Sequence, residues 1–215
     1  MTAQEKEIEL DKIAREVKAF KGLDIAKNAT HPVPGEGNPD AQIMFIGEGP
    51  GFYEDQQGRP FVGQSGKLLE KTLKEILNLD RLEVFITNIV KFRPPDNRDP
   101  LPEEIEACRD WLDRQITIIQ PKIIATLGRF SMAKFIPDVT ISRVHGQSRF
   151  YMLPATSYKM IIFPMYHPAA ALRAGSMMQE FVADFNKLKD LLTIQKNELS
   201  SPNPVPDQIS QQTLF

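Results

Sequence analysis

A three-layer α/β/α sandwich around a mostly parallel, four-stranded sheet is the fold that three observations predict. Four short apolar segments of strand length lie at 42–47, 83–90, 122–128 and 160–168. Segments with helical spacing of apolar residues separate them, which is the signature of crossover connections between parallel strands. Several of the strand segments also run directly into glycine or polar punctuation, as strands do when their ends face a ligand crevice.

Taken in order, residues 3–19 are charged, with Ile8, Leu10, Ile13 and Val17 at roughly helical spacing, and predict an amphipathic helix. "KNATHPVPGEGNPDA" reads as loop from its Pro, Gly and Asn content. "QIMFIG" (42–47) is the first strand and ends in a glycine turn. The helix over 65–79 places Leu68, Leu69, Leu73 and Ile76 on one face, with Ser65 as its N-cap. "EVFITNIV" (83–90) is the second strand. The helix over 101–121 opens with proline and early acids, both suited to a helix N-terminus. "KIIATLG" (122–128) and "MIIFPMYHP" (160–168) complete the strands. A last helix, about 175–194, repeats Phe181, Phe185, Leu188 and Leu192. One domain over 1–195 and a polar, proline-containing, flexible tail over 196–215 are the expected organisation.

The chain has 215 residues, of which 41% are hydrophobic, enough for one core. Its net charge of −2 excludes a global positive field, so any nucleic-acid contact needs a local basic face. A single cysteine, Cys108, excludes an internal disulfide framework and suits a reducing compartment. No apolar run has signal-peptide or membrane-spanning character. A soluble, cytoplasmic, monomeric protein without membrane contact is expected.

Three strand ends carry the candidate chemistry. The first enters "GEGPGFYEDQQGRPFVGQSG", where Gly47, Gly49, Gly51, Gly58, Gly63 and Gly66 let backbone approach a ligand. This stretch fits neither the Walker pattern nor G-x-G-x-x-G, so a plain turn competes with a pocket. The second strand carries Asn88 and the fourth His167; taken singly, an amide capping a strand end and a structural histidine are the bland readings. No histidine–cysteine spacing suggests a metal site. Cys108 lies near Ile105 and Trp111 on the predicted helix and reads as buried rather than nucleophilic.

Together, "GEGPGFYEDQQGRPFVG", "ITNIVKFRPPDNRDP" with "EEIEACRDWL", and "FPMYHPAAALR" resemble the family 4 uracil-DNA glycosylases over about residues 18–194. These base-excision repair enzymes normally carry a [4Fe–4S] cluster. The resemblance implies a uracil-DNA glycosylase-like fold and hydrolysis of the N-glycosidic bond of a flipped uracil, with uracil-containing DNA as partner. It implies that Glu48 and Gly49 border the uracil and the attacking water, that Phe61 stacks on the base, that Asn88 reads its edge and that His167 faces uracil O2. Glu54 matches the acid ending the family's acidic run, and Asp55 the aspartate after it. Related proteins of the superfamily have an aspartate where this chain has Gly49, which leaves Glu48 and Glu54 as alternative water-organising groups. DNA contacts are expected from Arg59, Lys67, Lys91, Arg93 and Arg173, each of which competes with a solvated surface charge. Leu172 is the expected apolar wedge into the gap left by the base, against the alternative of a core leucine.

The chain departs from the family at the cluster. A Cys-x-x-Cys pair before "PGEG" corresponds here to Phe20 and Leu23, the cysteine of "VKCRPP" to Phe92, and only Cys108 remains of four. One thiolate does not hold a cubane cluster, so no cofactor is expected. "GFYED" also carries fewer acids than is usual, with Phe52 and Tyr53 either altering the range of bases or packing on the loop. The last five residues, "QQTLF", resemble the pentapeptide with which bacterial repair proteins bind the sliding clamp, implying Gln211, Leu214 and Phe215 as its contacts. The competing function class is a damaged-DNA (uracil) binding module that recognises the base without turnover.

Overall fold

The computed structural model describes residues 1–154 and 158–200. Helix α1 (Ala3–Ala19) starts at a reciprocal cap in which the Thr2 hydroxyl accepts from Glu5 N–H and the Glu5 carboxylate accepts from Thr2 N–H. After α2 (Asp24–Asn28) come β1 (Glu36–Gly37), β2 (Ile43–Gly47), α3 (Phe52–Gln57) and α4 (Gln64–Thr72), the last continuing into a π-helical turn at Leu73–Leu77. Strand β3 (Phe85–Asn88), α5 (Pro102–Ile119), β4 (Ile123–Leu127), α6 (Arg129–Ala133) and α7 (Ile141–Val144) follow. The chain then forms β5 (Arg149–Met152), β6 (Lys159–Met165), α8 (Pro168–Ala171) and α9 (Gly175–Ser200).

The sheet has six strands in the order β1-β3-β2-β4-β6-β5. The four predicted strands form its parallel centre, from β3 through β2 and β4 to β6. The prediction of four strands is corrected by two antiparallel edges, β1 on β3 and β5 on β6. Neither edge advertises itself. One is two residues long, and the other exposes most of its side chains and so lacks the buried apolar run of the central strands.

Side-chain alternation divides the interior into two layers. Met44, Ile46, Ile124 and Ile162 face the side covered by α1, α2 and α5, with Ile13, Val17, Leu112 and Ile116. Ile43, Phe45, Ile123 and Phe163 face the side covered by α4 and α9, with Leu69, Phe181, Phe185 and Leu188. Each central strand is buried on both faces, which is why it reads as a continuous apolar run. Helix α4 begins at Gln64 with Gly63 as its N-cap, two residues before the expected Ser65 cap. The boundary expected at residue 196 falls inside α9, and residues 201–215, including Gln211, Leu214 and Phe215, lie outside the described residues. No helix among the described residues is long and apolar enough to cross a membrane.

The four positions that correspond to cluster cysteines meet in the first layer. Phe20 closes α1, Leu23 precedes α2, Phe92 follows β3 and Cys108 is on α5, and all pack in one apolar cluster around Trp111. Ring centroids lie 5.8 Å apart for Phe20–Phe92, 5.2 Å for Phe20–Trp111 and 6.3 Å for Phe92–Trp111. The two contacts to Trp111 are edge-on and the Phe20–Phe92 contact is tilted, and such aromatic pairs add to the burial of the rings themselves. Phe92 is fully buried, so Phe92→Ala is expected to lower the unfolding free energy by about 3–5 kcal/mol, measured by urea denaturation.

Candidate active site

In an open parallel sheet, ligands bind beyond the carboxyl ends of the strands, where the strand order reverses. Chain order here reverses at β2, which has β3 on one side and β4 on the other. The carboxyl ends of β2, β3, β4 and β6 surround a cleft of about 590 Å³. Glu48, Gly49, Glu54, Phe61, Asn88 and His167 all line it, so residues far apart in sequence that were singled out as catalytic or base-binding share one cavity.

Asn88 is the last residue of β3 and only 1% exposed, yet neither its Oδ1 nor its Nδ2 has a hydrogen-bond partner among the described residues. A buried amide left unpaired costs about 1–3 kcal/mol, so its retention at the floor of a cleft points to a partner that arrives with the ligand. Glycine at 47 makes room for this arrangement. A Cβ there would lie 2.4 Å from Asn88 Oδ1 and 2.5 Å from Phe61 Cζ.

Phe61 is held from several sides. Its backbone is left-handed, with φ of 50°, a conformation that costs energy for a non-glycine residue. A Cβ at Gly66 would lie 1.8 Å from the Phe61 carbonyl oxygen, so α4 packs against that peptide only because position 66 has no side chain. Arg81 donates to the Phe61 carbonyl at 3.0 Å and to that of Pro60, and is itself anchored on Glu36 at 2.7 Å. The Glu54 carboxylate accepts from Val62 N–H and Gly63 N–H, each at 2.9 Å, closing the loop that carries Phe61.

His167 caps α8, and its Nδ1 accepts from Ala169 N–H at 3.1 Å. A nitrogen that accepts from a backbone amide carries no proton, so the neutral ring holds its hydrogen on Nε2. Burial drives the ring pKa down from 6.5 to about 4, with Glu54 opposing the shift and Arg173 adding to it. The imidazole is thus a neutral donor at neutral pH. Its ring stands 5.6 Å from that of Phe61, inclined by 34°. Glu48 makes no side-chain hydrogen bond among the described residues, and its carboxyl is pushed up by burial and by Asp99, against the pull of Arg129. Of the two candidate acids in the cleft, Glu54 is therefore committed to the loop and Glu48 is not. Asp55 is buried on the far side of α3, where it accepts from Thr30 N–H at 2.9 Å.

The expected DNA-contacting residues divide. Lys91 is a correction: it is fully buried, with Nζ bonded to Thr87 Oγ1 at 2.6 Å, the Asn88 carbonyl at 2.9 Å and Gln115 Oε1 at 2.9 Å. The turn after β3 directs it inward to these acceptors, and burial pushes its ammonium down to about 7. Arg59 is spent on a two-point pair with Glu36, at 2.7 and 2.9 Å, outside the cleft lining. Lys67 is exposed on α4, and Arg173 is exposed at the cleft rim. Arg93 is half-buried, donating to Asn97 Oδ1 at 2.8 Å and lying 5.2 Å from the Phe52 ring centroid. Leu172 is exposed beyond α8 and does not belong to the core. Phe52 and Tyr53 are exposed, pack edge to face and do not line the cleft.

Sequence reasoning passed over Tyr166, Arg129, Asp99, Asn97 and Ser65, which also line the cavity. Tyr166 did have a signal, since it adjoins His167, already singled out at a strand end. Asp99, which pairs with Arg129, had none.

A buried, unpaired amide facing a neutral imidazole and an aromatic ring suits a flat heterocycle read by its hydrogen-bonding edge. The sequence model of the Uracil DNA glycosylase superfamily matches residues 34–189, and the chain belongs to that superfamily. It is 48% identical over 192 residues to a type-4 uracil-DNA glycosylase of Sulfurisphaera tokodaii, covering 87% of this chain and 86% of that protein. It is 45% identical to the type-4 uracil-DNA glycosylase of Archaeoglobus fulgidus, covering 85% and 92%. With that of Thermotoga maritima it shares 39% identity over 84% and 93% of the two chains.

Because His167 is neutral when folded, it titrates below its unfolded value, and the folded state binds fewer protons between about 4 and 6.5. Its contribution to stability is fully present above 6.5 and is lost as pH falls through about 4. An imidazole NMR titration is expected to show the Nε2–H tautomer at neutral pH and a His167 midpoint near 4; a midpoint at the ordinary histidine value contradicts this.

Proposed function

We propose that the protein is a uracil-DNA glycosylase that flips uracil out of DNA, hydrolyses its N-glycosidic bond and does so without an iron–sulfur cluster. The observation that carries the reading is the unpaired, buried Asn88 amide in a cleft it shares with Phe61 and neutral His167. A base removed from the stack has to be recognised by its edge and its face. The Asn88 amide donates to uracil O4 and accepts from N3–H, whereas cytosine presents the opposite pair. Each mismatched buried group costs about 1–3 kcal/mol, so the amide excludes cytosine as well as binding uracil. Phe61 supplies the stacking face.

Bond breaking leaves negative charge on the uracil and positive charge on the sugar. His167 Nε2–H, fixed in tautomer by Ala169 N–H, donates to O2 as that charge grows, with no proton transfer required. Glu48 is the uncommitted carboxyl for orienting water and facing the sugar cation. Glu54 acts through the loop that positions Phe61. Lys67, Arg93 and Arg173 grip the phosphates near the cleft, which makes affinity salt-dependent. Leu172, exposed after α8, enters the gap left by the base.

The residues at the cluster positions do not fit a [4Fe–4S] group. Two phenylalanines, a leucine and one buried thiol offer a single sulfur where the group requires four, and the rings are in mutual contact. No step of the reaction is assigned to it. The cytidine-excluding amide and the imidazole lie in the cleft, and the aromatic cluster lies beneath α1, α2 and α5. Recognition and cluster binding are therefore separable. The sliding clamp is a further partner of this reading, through Gln211, Leu214 and Phe215, on the strength of the terminal "QQTLF" alone.

Purified without added iron, the protein is expected to convert a uracil-containing oligonucleotide to alkali-labile product at the uracil, with iron well below stoichiometric. Uracil-dependent binding without cleavage supports the binding-module reading instead. Replacing Asn88→Asp is expected to relax discrimination against cytosine, and unchanged selectivity defeats the role of the amide. Truncation after Ser210 is expected to abolish clamp binding in surface plasmon resonance; equal affinity removes that partner.

A further inference from the structure

Asn88 has no hydrogen-bond partner for its side chain among the described residues, so no hydrogen bond in the cleft fixes which way the amide points. The backbone that carries it, by contrast, is held from behind. On that hidden side lies a polar network in an otherwise apolar layer. Thr87, Lys91 and Gln115 are all buried, and none of the three lines the cleft.

The network is closed and its donors and acceptors balance. In its ammonium form Lys91 has three protons, matched by three acceptors: Thr87 Oγ1 at 2.6 Å, the Asn88 carbonyl at 2.9 Å and Gln115 Oε1 at 2.9 Å. Thr87 Oγ1 donates in turn to the Pro34 carbonyl at 3.0 Å, and Gln115 Nε2 donates to the same oxygen at 2.8 Å. Backbone bonds add to the closure. Val33 N–H reaches the Lys91 carbonyl at 2.8 Å, Ile89 N–H reaches that of Gly47 at 3.0 Å and Val90 N–H reaches that of Glu48 at 3.1 Å. Position 35 has φ of 119° and a Cβ there would stand 2.8 Å from Thr87 Oγ1, so the segment carrying Pro34 reaches the network only with glycine beside it.

A buried lysine needs a reason. Desolvating an ammonium is costly, and an apolar side chain would suit the neighbouring Phe92 and Cys108 better. What the lysine does that an apolar residue cannot is bind the carbonyl of the base-reading residue itself.

We propose that Lys91 is a positioning residue for base discrimination: with Thr87 and Gln115 it clamps the Asn88 carbonyl from behind, so that the amide meets the base edge in one orientation. The proposal rests on the assignment of Asn88 as the base reader. It places selectivity partly in residues that never touch the base. A loosened strand end lets the amide turn, and a turned amide offers cytosine the pattern it needs.

The test compares Lys91→Met, Thr87→Val and Thr87→Ser in the full-length protein. Single-turnover cleavage of uracil DNA, its KM, and inhibition by free uracil against free cytosine are measured for each. Lys91→Met is expected to lower the cleavage rate and the uracil preference by roughly tenfold or more, with KM for DNA little changed because the phosphate contacts stay in place. Thr87→Val, nearly isosteric, is expected to fall in the same way, and Thr87→Ser, which keeps the hydroxyl, to stay near the parent. Parental rate and selectivity in Lys91→Met or in Thr87→Val overturn the proposal, as does an equal loss in Thr87→Ser and Thr87→Val. If Lys91→Met does not fold, the threonine pair decides. Asn88→Asp run alongside separates the two levels: unchanged selectivity there defeats the base-reader assignment and the clamp with it, whereas altered selectivity there and none in the clamp variants defeats the clamp alone.

Discussion

Asn88 is buried and has no side-chain partner among the described residues, two conditions that ordinarily exclude one another. Burial without a partner is destabilising, and an unpaired amide normally rotates until it finds one. The surroundings meet these conditions by geometry. Gly47 on the adjacent strand gives the amide room and brings Phe61 beside it, while Gly66 lets α4 press on the Phe61 peptide. The free energy released when a base edge satisfies the amide is available only to a ligand with the complementary pattern. In the proposed reading, selectivity arises from this unsatisfied amide.

His167, two residues past β6, is the counterpart of this arrangement. A charged imidazole in the same place would bind any anion and would carry a full desolvation cost. Capping α8 removes the proton from Nδ1 and burial keeps the ring neutral. In the proposed reading, the remaining Nε2–H interacts weakly with a neutral base and more strongly as negative charge develops on it, the differential that accelerates a reaction.

Outside the cleft, the volume around Phe20, Leu23, Phe92 and Cys108 is a packed apolar cluster. Each fully buried large apolar side chain contributes about 1.5–3 kcal/mol, independently of any metal. α1, α2 and α5 are joined there by side-chain packing and by surface contacts such as the Glu16–Arg114 pair. The segment from Ile89 to Pro94 therefore connects two differently built halves, one polar and exacting, the other apolar and tolerant of shape.

Local pattern was enough for the central sheet and for the strand-end residues. The four parallel strands are buried on both faces and so are written as apolar runs, and Asn88 and His167 stand out because they interrupt such runs. The edges β1 and β5 carry no comparable pattern, since an edge strand is not required to be apolar. Motif resemblance placed Glu48, Phe61, Asn88 and His167 in one group before any geometry was known. Only the tertiary structure decided the fate of the cations between the motifs. Lys91 and Arg93 flank the same phenylalanine and read alike in sequence. Lys91 turns inward because its acceptors come from Gln115 on α5 and from the strand behind it, and Arg59 is drawn away by Glu36 of β1. The direction of a charged side chain is set by partners distant in sequence, and no local periodicity records them.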